Sequence, residues 1–341
     1  MVAALAGCTG DSTNGPDGEF DSSPSWILDN AVYHPAHRSG MKIIGTQTLG
    51  DRTIGLFYTY SERFWTVTGT EKQRVAVDSE YNTIHLMASV WDTEMETVLP
   101  VDAGLSIRVE QDGDVISDRA MWPMLSQQMG AHFGDNVQFP SQDEYSLVVS
   151  TGSPTVERFG ALDDLSDESG TVTFDFTFRR TLRNEIRVEP SGASPLPSHG
   201  EPDALSPMEM GFALSIAPPA DQLPGRVLGE GRSGDAVFVV TATESADGTQ
   251  LVVSPRTPYN QYILPLMSLT GTLEREGTTI FDGPLTTAIS PEQNYHYYGM
   301  VDSIESGDEL TISVDSPPQA SRHIGYDTAF LEMPDMTMTV S

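Results

Sequence analysis

The residues of this sequence able to bind soft or borderline metal ions are unevenly spread. It has 7 histidines, 14 methionines and a single cysteine. In the run TIHLMASVW, extended-chain alternation sends Ile84, Leu86, Ala88 and Val90 to one face and His85, Met87, Ser89 and Trp91 to the other. His85 and Met87 therefore point the same way. Further on, MWPMLSQQMGAHFGDNV gathers Met121, Met124, Met129 and His132 in a stretch with hardly any helix or strand period, which reads as a loop. If that loop closes over the face carrying His85 and Met87, two imidazoles meet one or two thioethers. Imidazole with thioether suits Cu(I) and Cu(II), whereas imidazole alone also suits Fe(II) and Zn(II). The plainer alternative is that flexible methionines plug core gaps and His85 is an ordinary half-buried histidine.

Other residues of interest are weaker. HPAHRSGM offers His34, His37 and Met41 within one short run, either a second, peripheral metal site or a connecting loop. His199 lies in a proline-rich stretch and is expected to be exposed. Met336, Met338 and Val340 alternate in MPDMTMTV, the pattern of a core face. The chain has no GxSxG, glycine-rich phosphate loop, HExxH or paired His and Cys nucleophile. A copper enzyme would need an acid-base constellation that is not visible, so the expectation is a binding protein and not an enzyme. The lone Cys8 sits in Leu5-Ala6-Gly7-Cys8, the small-residue form of a lipobox, ahead of a tract rich in Ser, Gly, Asp and Pro. Acylation at Cys8 would anchor the protein to the membrane and place it outside the cytoplasm.

The elements that must carry these residues are strands. TIHLMASV, LSIRVEQ, YSLVVS, VTFDFTF, AVFVVTATE, LTISVD and MTMTVS alternate with period two, are rich in Val, Ile, Thr and Phe, and are separated by turn formers. No segment sustains a helical period. The class is all-β, and the strand count favours antiparallel sandwiches. Five prolines in VEPSGASPLPSHGEPDALSPM mark a boundary. The reading is a spacer over residues 1–31, a first domain over 32–188, a linker over 189–207 and a second domain over 208–341. The halves look like distant copies. His132 and His296, Pro154 and Pro318, and Arg158 and Arg322 are each separated by the same 164 residues.

With 49 acidic against 18 basic residues, the net charge is −31. Nucleic acid is excluded as a partner, because its binding needs clustered Lys and Arg, and only Lys42 and Lys72 are lysines. The acids are dispersed between apolar residues, which describes a solvated, self-repelling surface. That is the composition of a protein adapted to high salt, of haloarchaeal type, where screening removes most of the repulsion; an unusually acidic protein from a mesophile is the alternative.

The segments GMKI, HLMA and WPMLSQQMGAHFGDNVQF resemble the periplasmic copper- and ferrous-iron-binding proteins that accompany bacterial high-affinity iron permeases. That family's pattern runs His-Leu-Glu, then Pro-Met, then Gly-Pro-His-Tyr-Gly-Ala-Asn, and the resemblance covers roughly Gly40 to Phe178. It implies an immunoglobulin-like sandwich with His85, Met124 and His132 as ligands to copper or iron, and a permease as partner. Two departures matter. The family's Glu is Met87 here, and an acidic residue before the second His has become Gln128 or Met129, so the donor set is softer and suits copper better than Fe(II). The family's last ligand, a His of an Arg-His pair reaching in from the other subunit of a homodimer, reads Arg158-Phe159 in the first half. In the second half the pair is intact as Arg322-His323, while Gln250 stands where His85 would. The resemblance thus implies a pseudo-dimer within one chain, with one site made from His85, Met124, His132 and His323 and its reciprocal degraded; further homodimerisation stays open. A cell-surface adhesion or scaffold protein, with Met and His as core residues, is the competing function.

Overall fold

The computed structural model describes residues 29–76, 82–99, 104–186, 188–189, 199–209, 211–245 and 248–341. Cys8, and with it the lipobox, lies outside them. The chain is all-β, in tandem sandwiches built from antiparallel sheets. Among the described residues no helix is long and apolar enough to cross a membrane.

The first half builds a four-stranded sheet in the order Gly170–Thr177, Glu144–Thr151, Leu105–Gln111, Asp114–Ala120. It faces an eight-stranded sheet ordered Lys42–Leu49, Arg52–Tyr60, Thr83–Asp92, Gly130–Gln138, Trp122–Ser126, Ser321–Arg322, Phe64–Thr68, Glu71–Val75. The second half repeats the plan. Thr278–Pro284, Ser268–Arg275, Glu309–Ser316 and Met336–Thr339 form one sheet, and Glu157–Arg158, Thr286–Ser290, Asn294–Val301, Gly248–Arg256, Ala236–Ser245 and Arg226–Ser233 the other. Each large sheet therefore contains a two-residue strand from the opposite half. Ser321 and Arg322 lie parallel to Met124 and Leu125, and Glu157 and Arg158 lie parallel to Ala288 and Ile289. The exchange is reciprocal.

The stretch 121–137, expected to be a loop, is a hairpin: Trp122–Ser126 pairs with Gly130–Gln138. Its alternation is hidden because the second strand is buried on both faces, one against its own sandwich and the other against the second half. The Thr83–Asp92 strand is likewise buried along its whole length. Ile84, Leu86, Ala88 and Val90 join the main core, while His85 and Met87 face the other way, as alternation requires. The tight turn is fixed by the Ser126 hydroxyl, which accepts from the Met129 amide at 3.1 Å, and by Gly130 at φ +69°. A side chain at Gly130 would collide with Tyr262 and Ser215. The second half closes its equivalent turn with Ser290 and with Asn294 at φ +59°, the residue type that tolerates the left-handed region.

The described parts of the segment around the linker make specific contacts. Val188–Glu189 pairs with Arg38–Ser39. Leu205 is buried and its amide donates to Gln127 at 2.8 Å. His199, expected to be exposed, is half-buried, with Nδ1 3.3 Å from the His34 carbonyl. Met336 and Val340 lie in the core, with Met338 packed against it.

Candidate metal centre

Four strands converge on one point. His85 projects from Thr83–Asp92, His132 from Gly130–Gln138, and Met124 lies directly across the ladder from His132. The exchanged strand then delivers His323, whose amide donates to the Leu125 carbonyl at 3.2 Å. Arg322, fully buried, braces this strand by donating to the carbonyls of Pro318, Ala320 and Ala329. One ligand atom from each of the three histidines lies within 4.8 Å of the others. The His323 ring centroid is 5.2 Å from that of His85 and 5.4 Å from that of His132, and His323 Nε2 is 3.2 Å from Met124 Sδ. All four side chains are buried, with Phe64 packed against His85 and His323.

The outer nitrogens explain what the inner ones offer. His132 Nδ1 is 2.9 Å from the Gly130 carbonyl, His85 Nδ1 is 3.0 Å from Asn136 Oδ1, and His323 Nδ1 is 3.3 Å from a Glu62 carboxylate oxygen. Each partner is an oxygen that accepts, so each Nδ1 carries a proton, and Nε2 of His85 and of His132 presents a bare lone pair. Asn136 is itself locked: its Oδ1 accepts from the Glu62 amide at 3.2 Å and its Nδ2 donates to the Glu62 carbonyl at 2.9 Å. His85 Nε2 and His132 Nε2 are buried with no hydrogen-bond partner. Leaving such atoms unmet costs about 1–3 kcal/mol each, and a bound cation would satisfy both at once.

Electrostatics agree with neutral, ligating imidazoles at His85 and His132. Burial, reinforced by His323, pushes His85 down to about 4, against the opposing pull of Glu62 and Asn136. Burial and then His323 hold His132 well below the ordinary imidazole value. For Glu62, burial favours the neutral acid, but the His323 hydrogen bond and charge overcome it and keep the carboxyl below its usual range. Neither His85 nor His132 has to lose a proton at neutral pH before accepting an ion. Three imidazoles and a thioether, with the carboxylate held outside as a hydrogen-bond acceptor, fit copper better than a hard cation.

Gly134 supplies the floor. A Cβ there would stand 2.7 Å from Met124 Sδ and 2.8 Å from His85 Nε2. The reciprocal site shows what happens without such a floor. His296 lies opposite Ala288 as His132 lies opposite Met124, and Gln250 lies opposite Met300 as His85 lies opposite Asn136. The counterpart of Gly134 is Tyr298, whose hydroxyl donates to Glu157 and whose ring meets Phe159 at 5.3 Å. Phe159, in turn, stacks on His296 at 6.4 Å. One imidazole and two aromatic rings stand where the first site has three imidazoles and space.

Among the other candidates from the sequence, Met87 lies outside the His-Met quartet, packed with Phe57 and Met129. His37 and Met41 line a cavity next to His323, whereas His34 is turned to its own chain, with Nδ1 3.1 Å from the Pro35 carbonyl. Sequence reasoning missed Glu62, Asn136 and Gly134 as parts of the site. Gly134 and Asn136 were visible inside GAHFGDN, where the family pattern also ends Gly-Ala-Asn; Glu62 carries no such signal.

A family model described as a domain of unknown function, DUF7350, matches residues 221–339. No curated protein matches the chain. Among solved structures, a copper-bound variant of FetP from a uropathogenic Escherichia coli strain is similar at 14% identity and a TM-score of 0.30, covering 40% of this chain and 97% of that one. FetP of the same strain, as isolated after recombinant expression in the periplasm, is similar at 13% identity and a TM-score of 0.30, covering 42% of this chain and 95% of that one.

Proposed function

We propose that this protein is an extracytoplasmic transition-metal-binding protein, held at the membrane through Cys8, which carries copper at the His85, Met124, His132 and His323 site and serves Fe(II) uptake beside a membrane permease. The observation that carries the metal reading is the orientation of the three imidazoles. Each has its proton fixed on the outer nitrogen by an acceptor, and the inner nitrogens converge, two of them without any other partner. A structural histidine cluster has no reason to leave lone pairs facing one another in a buried space. Copper is favoured over Fe(II) as the resident ion because the fourth donor is a thioether and no carboxylate points inward. The iron-uptake role, the permease and the anchor rest on the sequence resemblance and on the lipobox form around Cys8.

The test is metal analysis of protein purified without chelator. Wild-type chain should hold one copper per molecule, and His132→Ala should hold none while keeping its circular dichroism. Undiminished copper in both His132→Ala and His85→Ala would rule the site out.

A further inference from the structure

Beside the triad, a partly open cavity of about 60 Å³ has in its wall Met41, Met87 and Met129 together with Glu62, His37 and His323. Met87 and Met129 are almost fully buried and Met41 is half-buried. Behind them stand Phe57 and Phe212, with ring centroids 4.5 Å apart. Three methionines thus border one small space, with Phe57 and Phe212 packed among them and Glu62 also in its wall.

We infer that Met41, Met87 and Met129 form a second, soft-cation site that takes Cu(I), one imidazole away from the triad. Methionines that merely plug a core fill its gaps, as the sulfur-bearing chain is suited to do. Here they border a partly open space several times what one water molecule requires. Thioethers are weak acceptors that discriminate sharply by ion type: they favour Cu(I) and leave Mg(II), Ca(II) and Mn(II) to oxygen ligands. The Glu62 carboxylate, 25% exposed, gives the cavity a negative wall that attracts a cation without being a soft ligand. His323 belongs to the walls of both spaces. The inference shares the copper reading of the triad but none of its ligands, so either can fail alone.

Ag(I), a redox-inert stand-in for Cu(I), is the probe. Full-length apo protein with 13C-labelled methionine methyl groups is titrated with Ag(I) in chloride-free buffer, and the methyl resonances are assigned through single Met→Leu variants. The methyls of Met41, Met87 and Met129 should shift on saturation, and they should still shift in His132→Ala, where the triad is disabled. Zn(II) should leave them in place. The triple variant Met41→Leu, Met87→Leu, Met129→Leu should take up one Ag(I) fewer than wild type and keep its Cu(II) at the triad. Stationary methyls at saturating Ag(I), or a folded triple variant that binds as much Ag(I) as wild type, would overturn the inference. If the triple variant does not fold, the wild-type and His132→Ala methyl spectra decide it.

Discussion

Three buried imidazoles kept neutral make the metal-free protein sensitive to mild acid. An unfolded histidine titrates near 6.5, whereas burial holds His85 and His296 near 4 and His132 well below its ordinary value. Between those values the unfolded chain binds more protons than the folded one, so stability is intact above about pH 6.5 and falls as pH drops towards 4. The slope is about 1.4 kcal/mol per pH unit for each such imidazole. Asp135 and Asp235, raised by burial, pull the other way. Urea unfolding of apo protein should therefore show a clearly lower midpoint at pH 5 than at pH 7, and a His85→Gln, His132→Gln variant should lose much less over that interval. Equal losses in the two proteins would mean that other groups drive the acid response. His85 and His132 could be picked out from residue type and strand parity; their tautomers could not, because these depend on Asn136, Glu62 and the Gly130 carbonyl, which only the folded chain brings near.

The strands carrying the ligands differ in how far their pattern shows in the sequence. Thr83–Asp92 alternates cleanly between two kinds of residue, so its two faces were assigned correctly even though both are buried. The hairpin of Trp122–Ser126 and Gly130–Gln138 does not, since Gly130, Ala131, Gly134 and Pro123 satisfy close packing and turn geometry in place of a polar and apolar alternation. The two-residue strand Ser321–Arg322 is too short to have any period, and its partner strands lie in the other half of the chain. Its place in the first sheet came within reach only through the matching Arg-His pair. Within the hairpin, Gly134 is the position where two otherwise similar halves part company, one keeping space and the other placing Tyr298 there. Gly134→Ala should leave the fold intact, because the nearest atoms are the ends of movable side chains, and should weaken copper binding at least tenfold, about 1.4 kcal/mol, in a competition titration. Unaltered affinity would show that the floor of the site is not limiting.

For the molecule as a whole, exchange of strands between halves joined in one chain makes His323 a permanent neighbour of His85. A ligand supplied by a separate subunit is lost on dilution; one supplied intramolecularly is not. Copper affinity should be the same at nanomolar and micromolar chain concentration, and size-exclusion chromatography at the lower concentration should still show loaded protein. An affinity that weakens with dilution would indicate that a second chain contributes to the site. Seam contacts reinforce the docking: Ala131 donates to the Ser215 hydroxyl at 2.8 Å, the Tyr262 hydroxyl to the Gln128 carbonyl at 3.1 Å, and Asn260 to the Gln127 carbonyl at 2.8 Å. The tandem architecture and the all-β class were legible from period-two runs and repeated offsets. The reciprocity of the exchange was not, because it is a property of two registers at once.

The exchanged strand also sets an order in time. Met124 and Ser321 are neighbours in one sheet, yet nearly two hundred residues of chain separate them. Pairings so distant in sequence form late, after each sandwich has gathered its local hairpins. During synthesis the first sandwich exists for a period with His85, Met124 and His132 in place and its fourth donor still unmade. Only when the Arg322-His323 segment emerges and threads between Trp122–Ser126 and Phe64–Thr68 is the four-donor arrangement complete. The arrival of metal competence thus coincides with completion of the fold, and a chain arrested halfway carries an open three-donor cup instead of a closed site.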